Sequence, residues 1–213
     1  MSNARLVITA DDYGYRPRYD EGILQAARAH AIDAAGAMVL RDPDPAPLLE
    51  TGVEIGLHLE PSGEALQGED AVRGQLTRFE QLFGRPPDYV DGHQHCHAEP
   101  PLRAAVVEAA ARLGVRVRSV DTEHREELRR AGIATPDRLI GRFDPTGPLV
   151  PLEIAAVEGG GVPPPGLTEW MVHPGLADPS SGSGYDGARE DDLAELVRLA
   201  RDEVLGGWRG VGA

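Results

Sequence analysis

The feature that most constrains the fold of this chain is a regular alternation of short apolar runs with stretches of helical periodicity. Apolar runs flanked by turn residues predict buried strands, and the amphipathic stretches between them predict helices. We predict strands at Arg5–Ala10, Gly36–Leu40, Val53–Leu57, Tyr89–Asp91, Val115–Val120, Arg138–Gly141 and Glu169–Val172. We predict helices at Asp20–Ala31, Pro45–Thr51, Ala71–Phe83, Pro100–Leu113, Glu123–Ala131, Leu149–Glu158 and Glu190–Leu205. Strands that alternate with helices form a parallel sheet with crossover helices.

About seven such units favour a closed or nearly closed β/α barrel of TIM-barrel type over an open sheet. Two irregular segments, Gly159–Pro165 and Ser180–Gly187, interrupt the pattern, but the alternation continues across both. The 213 residues are enough for one sizeable core. We therefore predict a single domain over residues 1–213.

Composition excludes several classes of function. A formal net charge of −14 argues against nucleic acid or an anionic membrane surface as a partner. The chain contains no lysine, which excludes Schiff-base chemistry and a P-loop. One cysteine rules out an internal disulfide framework, and we find neither a secretory signal nor an apolar run long enough to cross a bilayer. These features predict a cytoplasmic enzyme.

The chemically capable residues fall where the predicted strands end. They are Asp11, Asp12, His58, His93 and His173, at the carboxyl ends of four separate strands. In a parallel β/α fold these ends share one face, and that face carries the active site. Each residue alone has a structural explanation, since aspartate often caps helices and a single strand histidine is usually a core residue. Their coincidence at strand ends favours function.

Three histidines follow the fourth predicted strand, at positions 93, 95 and 97. His93 is nearest the strand end and is the expected metal ligand, whereas His95 and His97 belong to the following loop. Cys96 is expected to be a small buried filler rather than a ligand of a soft metal. We expect His30 and His124, on polar helical stretches, to lie on the surface.

One carboxylate and two imidazoles are a common ligand set for a divalent cation, with positions left open for water and substrate. Such an ion activates water at neutral pH, so the set predicts a hydrolase. The second aspartate of the pair could accept the proton of the water, and His173 could protonate a departing amine. No G-x-S-x-G motif occurs, which argues against a nucleophilic serine.

The same segments resemble the YdjC-like carbohydrate deacetylases. Ile8-Thr-Ala-Asp-Asp-Tyr-Gly14 resembles the "NADDFG" opening of that family. Three further motifs match it in order: Gly56-Leu-His-Leu59, Val90-Asp-Gly-His-Gln-His-Cys-His97 and Gly166-Leu-Thr-Glu-Trp-Met-Val-His-Pro-Gly175. Flanking segments at Gly22-Ile-Leu-Gln-Ala26 and Phe83-Gly-Arg-Pro86 also match. The segment between His58 and Ala71 is short for the family, so the sugar specificity of its relatives is not carried over.

The resemblance implies a distorted barrel that hydrolyses N-acetyl groups of small amino sugars such as chitooligosaccharides. Matched motif by motif, it implies one divalent ion on Asp12, His58 and His93 and a catalytic base at Asp11. His173 stays the expected acid.

The expected substrate contacts are Arg118, His95 and His97. Ligand softness favours Zn²⁺ and the resemblance favours Mg²⁺, so the ion stays open. The expected partner is a small N-acetylated sugar, and whether the chain forms a homodimer is left open.

Two other hypotheses remain. One is a metal-dependent phosphohydrolase or amidohydrolase that uses the histidine cluster at positions 93–97. The other is a non-catalytic carbohydrate-binding barrel. Acetate release from an N-acetylated sugar would separate the deacetylase from both.

Overall fold

The computed structural model describes residues 4–61, 68–148, 150–151 and 164–201. Its strands are β1 Ala4–Tyr13, β2 Ala34–Ala37, β3 Glu54–Leu59, β4 Tyr89–Gly92, β5 Arg116–Val117, β6 Arg138–Gly141 and β7 Gly166–Val172. Its α-helices are α1 Pro17–Arg28, α2 Ala46–Leu49, α3 Glu69–Phe83, α4 Leu102–Leu113, α5 Thr122–Arg130 and α6 Asp186–Arg201. Two 3₁₀ helices, η1 Val39–Arg41 and η2 His93–Ala98, lie between them.

The seven strands form one sheet in the order β5-β4-β3-β2-β1-β7-β6, and every neighbouring pair is parallel. The first and last strands are adjacent, paired from Ala4–Gly166 to Ala10–Val172. The sheet curls into a half-barrel with the helices outside, which confirms the predicted α/β barrel-like fold. The described parts of β5 and β6 do not pair, and Val117 N donates to Ala134 O at 3.1 Å beside this break.

Burial on both faces explains why the strands read as apolar runs rather than as alternating patterns. All four residues of β2 are buried, and in β3 only the first of six residues is exposed. Helix α3 covers the sheet with one apolar face, and Phe79 and Phe83 on that face stack at 4.5 Å between ring centroids. Among the described residues, no helix combines the length and apolar character of a bilayer-spanning segment.

Several predicted boundaries were wrong in detail. The strand predicted at Gly36–Leu40 begins earlier and ends at Ala37, and η1 follows it. The strand predicted at Val115–Val120 is reduced to two residues at the sheet edge. The predicted helix at Leu149–Glu158 lies almost wholly outside the described residues.

The prediction that His124 lies on the surface was wrong. Its side chain is fully buried, because helix α5 turns His124 and Leu128, one turn apart, toward the interior. The carboxylate of Asp121 caps the helix and accepts a hydrogen bond from His124 N at 2.8 Å.

Candidate metal centre and active-site cleft

The two adjacent aspartates lie at an irregularity in β1. The pairing with β2 shifts register between Ala10 and Tyr13, and Asp12 has a left-handed backbone conformation with φ 77°. A bulge of this kind changes the direction of the side chains that follow it. Asp11 and Asp12 therefore both line one cleft at the end of the strand, but they contact different partners.

Three candidate ligands converge beside this bulge. Asp12 Oδ1 lies 2.9 Å from His93 Nδ1 and 3.4 Å from His58 Nε2. Ligand atoms bound at about 2.0–2.2 Å to a single ion lie roughly 3–3.5 Å from one another, so this spacing fits one divalent cation. All three ligand atoms lie within 4.8 Å of each other. The donor set therefore suits the expected ion.

A second carboxylate, that of Asp91, contacts the ring nitrogen of His58 that faces away from Asp12. Its Nδ1 lies 2.9 Å from Asp91 Oδ1, which leaves Nε2 directed at Asp12. Such carboxylate–histidine pairs fix the orientation of ligand histidines. The neighbouring strand leaves room for the ring, since a Cβ at Gly36 would lie 3.2 Å from His58 Nδ1.

Electrostatics also favours a cation here. Burial alone would lower the pKa of His58, but the carboxylates of Asp91 and Asp11 outweigh it and raise that pKa well above its usual value. Burial raises the pKa of Asp12, yet hydrogen bonds from His58 and His93 hold it well below its usual range. The carboxylates around His58 therefore favour a positive charge at this position.

The other oxygen of Asp12 is bound by an arginine from the last described helix. Arg189 Nη2 donates to Asp12 Oδ2 at 2.5 Å, and the guanidinium lies 3.8 Å above the ring of Tyr19. The side chain is buried and also lines the cleft. Arg189 leaves Oδ1 as the oxygen of Asp12 that faces the two histidines.

Asp11 belongs to a buried ion-pair cluster centred on Arg118. Arg118 donates to both oxygens of Asp11, at 2.7 and 2.8 Å. The same guanidinium lies 2.9 Å from Asp91 Oδ2 and donates to Glu169 Oε1 at 2.9 Å. Burial raises the pKa of Asp11, but the charge of Arg118, the neighbouring His58 and the hydrogen bonds from Arg118 together outweigh burial and hold that pKa well below its usual range.

The structure does not bring Arg118 to the cleft wall. Its side chain is fully buried and is held by three carboxylates. This placement suits a residue that orients Asp11 rather than one that contacts substrate. Asp11, His58 and Asp91 also have the spacing of a ligand set, but the guanidinium already supplies the positive charge beside two of them.

His173 lines the same cleft from the end of β7. Its backbone N–H donates to Asp192 Oδ2 at 3.1 Å, and its ring packs against Tyr185 with 4.9 Å between centroids. Ring atom Nδ1 is buried without a hydrogen-bond partner among the described residues. Burial is the main cause that lowers the pKa of His173 to about 4, so its ring is neutral at neutral pH.

The histidines after β4 separate into two environments. His93 and His95 line the cleft, which has a volume of about 500 Å³. His97 is fully buried behind it, with Nε2 3.0 Å from the carbonyl oxygen of Arg118. Cys96 is half-buried, and burial raises its pKa to about 12, which leaves an unreactive thiol.

The comparisons with known proteins agree with this architecture. A sequence model of the YdjC-like protein family matches residues 5–64 and 67–205. The chain belongs to the YdjC-like protein family. All the candidate ligands and acid–base residues described above lie within the matched segments.

This YdjC-like chain is 34% identical to the carbohydrate deacetylase of Mus musculus over 56% of the chain and 51% of that protein. It is 28% identical to the carbohydrate deacetylase of Geobacillus stearothermophilus over 90% of the chain and 88% of that protein. It spans about half the length of the vertebrate relatives it matches. A solved structure of a candidate cellobiose-phosphate cleavage protein from Enterococcus faecalis V583 shares its fold, with a TM-score of 0.78, 22% identity and coverage of 98% and 97%.

Sequence reasoning missed three site residues of this YdjC-like chain: Asp91, Glu169 and Arg189. Asp91 and Glu169 are charged residues within runs predicted to be buried strands, and this conflict with burial is a signal that could have identified them. Arg189 gave no such signal, because it lies on a helix rich in charged residues.

Proposed function

We propose that this chain uses one divalent metal ion to hydrolyse the N-acetyl group of a small amino sugar. The convergence of Asp12, His58 and His93 beside Asp11, in a cleft of about 500 Å³, is the observation that carries the proposal. Membership of the YdjC-like family and the carbohydrate deacetylases among its relatives support the substrate class.

Asp12, His58 and His93 hold the ion in this proposal. When bound, the ion supplies Lewis-acid activation of the attacking water and of the acetyl carbonyl. Both Mg²⁺ and Zn²⁺ are compatible with one carboxylate and two imidazoles, and the imidazoles favour the softer ion. Asp91 keeps the ring of His58 in its binding orientation, and Arg189 holds the oxygen of Asp12 that faces away from the histidines.

Asp11 accepts a proton from the attacking water, since it is ionised and lies beside the ligand set. Arg118 fixes both of its oxygens, which restricts the direction in which Asp11 accepts the proton. Oxygen adds to the acetyl carbonyl carbon, the C–N bond breaks, and the products are acetate and the free amine. The departing nitrogen takes up one proton, which balances the proton that Asp11 takes from the attacking water. In this proposal that proton reaches the nitrogen through His173, whose ring is neutral in the resting protein and again after it has delivered the proton.

Metal-dependent acetate release tests the proposal directly. The purified protein is stripped with a chelator, reloaded separately with Zn²⁺, Mg²⁺, Mn²⁺ or Co²⁺, and assayed on N-acetylglucosamine and its β-1,4-linked dimer and trimer. We expect acetate only from metal-loaded protein. Hydrolysis of a phosphate ester without acetate release would favour the phosphohydrolase. Sugar binding without acetate release under every metal would favour a carbohydrate-binding barrel.

A further inference from the structure

The histidine that follows β4 is the least buried of the three candidate ligands. The side chain of His93 is 25% exposed, whereas those of His58 and Asp12 are 1% and 3% exposed. Asp91 orients the ring of His58, and Arg189 binds the second oxygen of Asp12. Within the described part of the chain, no carboxylate other than that of Asp12 lies within ion-pair distance of His93. The orientation of the His93 ring therefore depends on other contacts.

A tyrosine from the turn after β1 supplies such a contact. The ring of Tyr15 stacks on the ring of His93, with 5.6 Å between centroids and 27° between planes. Aromatic rings attract each other in offset arrangements at centroid distances of about 4.5–7 Å. Tyr15 lines the cleft, and the ring of His58 lies edge-on to His93 at 5.8 Å. The stack limits rotation of the His93 side chain, whose Nδ1 faces Asp12.

The turn that carries Tyr15 is closed on a ligand residue. Tyr15 N donates to Asp12 O at 3.0 Å, across Tyr13 and Gly14. Gly14 has a left-handed backbone with φ 97°, and its N–H donates to Asp20 Oδ1 on helix α1 at 2.6 Å. One short turn therefore joins the backbone of the ligand Asp12 to the ring that packs on another ligand.

A cation holds the Tyr15 ring in turn. The guanidinium of Arg41 lies 4.4 Å from the centroid of Tyr15, a distance at which a cation attracts an aromatic ring, and Arg41 Nε donates to Glu60 Oε1 at 2.8 Å. The buried side chain of Gln75 binds the backbone of Glu60 twice. Glu60 N donates to Gln75 Oε1 at 3.0 Å, and Gln75 Nε2 donates to Glu60 O at 2.8 Å. These contacts connect a buried residue of α3 to the ring that stacks on a candidate ligand.

We propose that Tyr15 is a positioning residue that raises the affinity of the site for its metal ion, by stacking on His93 while Arg41 holds the Tyr15 ring. This inference rests on the proposed function, since it concerns the ion that the function requires. The stack keeps the His93 ring near its binding orientation, so less rotational freedom is lost when the ion binds. The contact uses the face of the Tyr15 ring and not its hydroxyl, so phenylalanine can replace tyrosine and leucine cannot.

Metal affinity tests the proposal without an assay of activity. Chelator-stripped protein is titrated in a calorimeter with Zn²⁺ and, separately, with Mg²⁺, and urea unfolding establishes that each variant is folded. We expect Tyr15→Leu to bind the ion about tenfold more weakly than wild type, as the loss of a residue that orients a ligand does, and Tyr15→Phe to keep the wild-type affinity. Phe143→Leu is the matched control, because this exposed aromatic ring lines the same cleft but contacts His95 instead of a candidate ligand.

Arg41→Met gives a second measurement. The Arg41 side chain is 41% exposed, so the variant is expected to fold, and loss of the cation beside Tyr15 should weaken metal binding about two- to fivefold. If Tyr15→Leu does not fold, Arg41→Met decides the question. Weaker metal binding by a folded Arg41→Met then supports the positioning role, and unchanged binding overturns it.

Failure of this inference and failure of the proposed function give different results. If the wild type releases acetate but Tyr15→Leu binds metal as tightly as wild type, the positioning role is wrong and the deacetylase stands. Equal losses of affinity in Tyr15→Phe and Tyr15→Leu also overturn the role of the stack. If the wild type binds metal but releases no acetate, the proposed function fails and the titrations still decide the role of Tyr15. A wild type that binds neither ion overturns both.

Discussion

At the scale of single residues, two neighbouring aspartates have different surroundings. Asp12 faces two imidazoles and one arginine, whereas both oxygens of Asp11 are taken by Arg118. The left-handed backbone at Asp12 separates the two side chains without removing either from the cleft. The proposed mechanism uses this difference, with Asp12 as the metal ligand and Asp11 as the base.

Substitution should separate these two roles. Asp11→Asn keeps the shape of the side chain but cannot accept a proton, so we expect normal metal content and a rate lower by about 10²–10⁴-fold. Asp12→Ala removes a ligand, so we expect metal to be lost, with partial recovery at high metal concentration. Asp70→Asn, on the exposed side of α3, is the control. Metal content and acetate release are measured on each purified variant.

Two results would contradict this division of roles. Loss of metal in Asp11→Asn together with normal metal in Asp12→Ala would reverse the two assignments. Full metal content and full activity in both variants would exclude the proposed mechanism.

At the scale of elements, helix α1 touches the loop that follows β7. A Cβ added at Gly22 would lie 2.4 Å from the Cα of Gly175, which is closer than atoms can approach. Gly175 N donates to Arg189 O at 3.2 Å, and a Cβ there would lie 3.0 Å from Arg189 Cδ. The contact between α1 and this loop therefore positions both His173 and Arg189.

Gly22→Ala tests this contact. The added methyl meets backbone rather than a movable side chain, so we expect a loss of about 1–3 kcal/mol in unfolding free energy. We also expect acetate release to fall at temperatures where the variant is folded, because the loop that carries His173 must shift. Gly74→Ala on α3 is the matched control, since its Cβ meets nothing within 4 Å. Unfolding free energy is measured with urea, and acetate release is measured under conditions in which both variants are folded to the same extent. Equal stability and equal activity of the two variants would show that the contact at Gly22 does not position His173.

At the scale of the molecule, the Arg118 cluster joins distant parts of the curled sheet. It links Asp11 on β1, Asp91 on β4 and Glu169 on β7 to a residue directly after β5. Burial of a charge is tolerated only when it is paired, and here three carboxylates surround one guanidinium. Even so, burial raises the pKa of Glu169. The cluster bridges strands from both halves of the sheet, whose edges β5 and β6 do not pair in the described chain.

Arg118→Met should destabilise the whole molecule. The substitution leaves buried carboxylates without the guanidinium of Arg118. We expect the free energy of unfolding, measured with urea at pH 7.5, to fall by about 3–5 kcal/mol. The unpaired carboxylates have pKa values raised above those of the unfolded chain, so the folded variant binds more protons as pH falls. The difference in unfolding free energy between wild type and variant should therefore become smaller as the pH is lowered from 7.5 to 5. Arg73→Met, at an exposed ion pair, should change stability by less than about 0.5 kcal/mol. A deficit that grows as the pH falls would contradict the role of the cluster.

Local pattern was enough to predict the class of fold and which strand ends meet in the candidate site. Buried strands of a parallel sheet are continuous apolar runs, so the polar residues that end them stand out, as Asp11, Asp12, His58 and His93 do. Parallel strands place these ends on one face, so their meeting in one cleft follows from topology. The boundaries of β2 and β5 were less predictable, because strand length depends on the partner strand.

Only the tertiary structure decided the partners of these residues. The side chain of Arg118 points into the interior because carboxylates from β1, β4 and β7 meet there, and no spacing along the chain encodes that meeting. His95 reaches the cleft and His97 does not, because η2 turns the backbone between them through left-handed conformations at Gln94 and His95. Periodicity is a property of neighbours in sequence, whereas ion pairing depends on strand register and on the curl of the sheet. The amino-acid sequence thus determined the parallel sheet with its outer helices and the edge of the sheet on which the candidate site lies. The tertiary structure determined which side chains form ion pairs with one another.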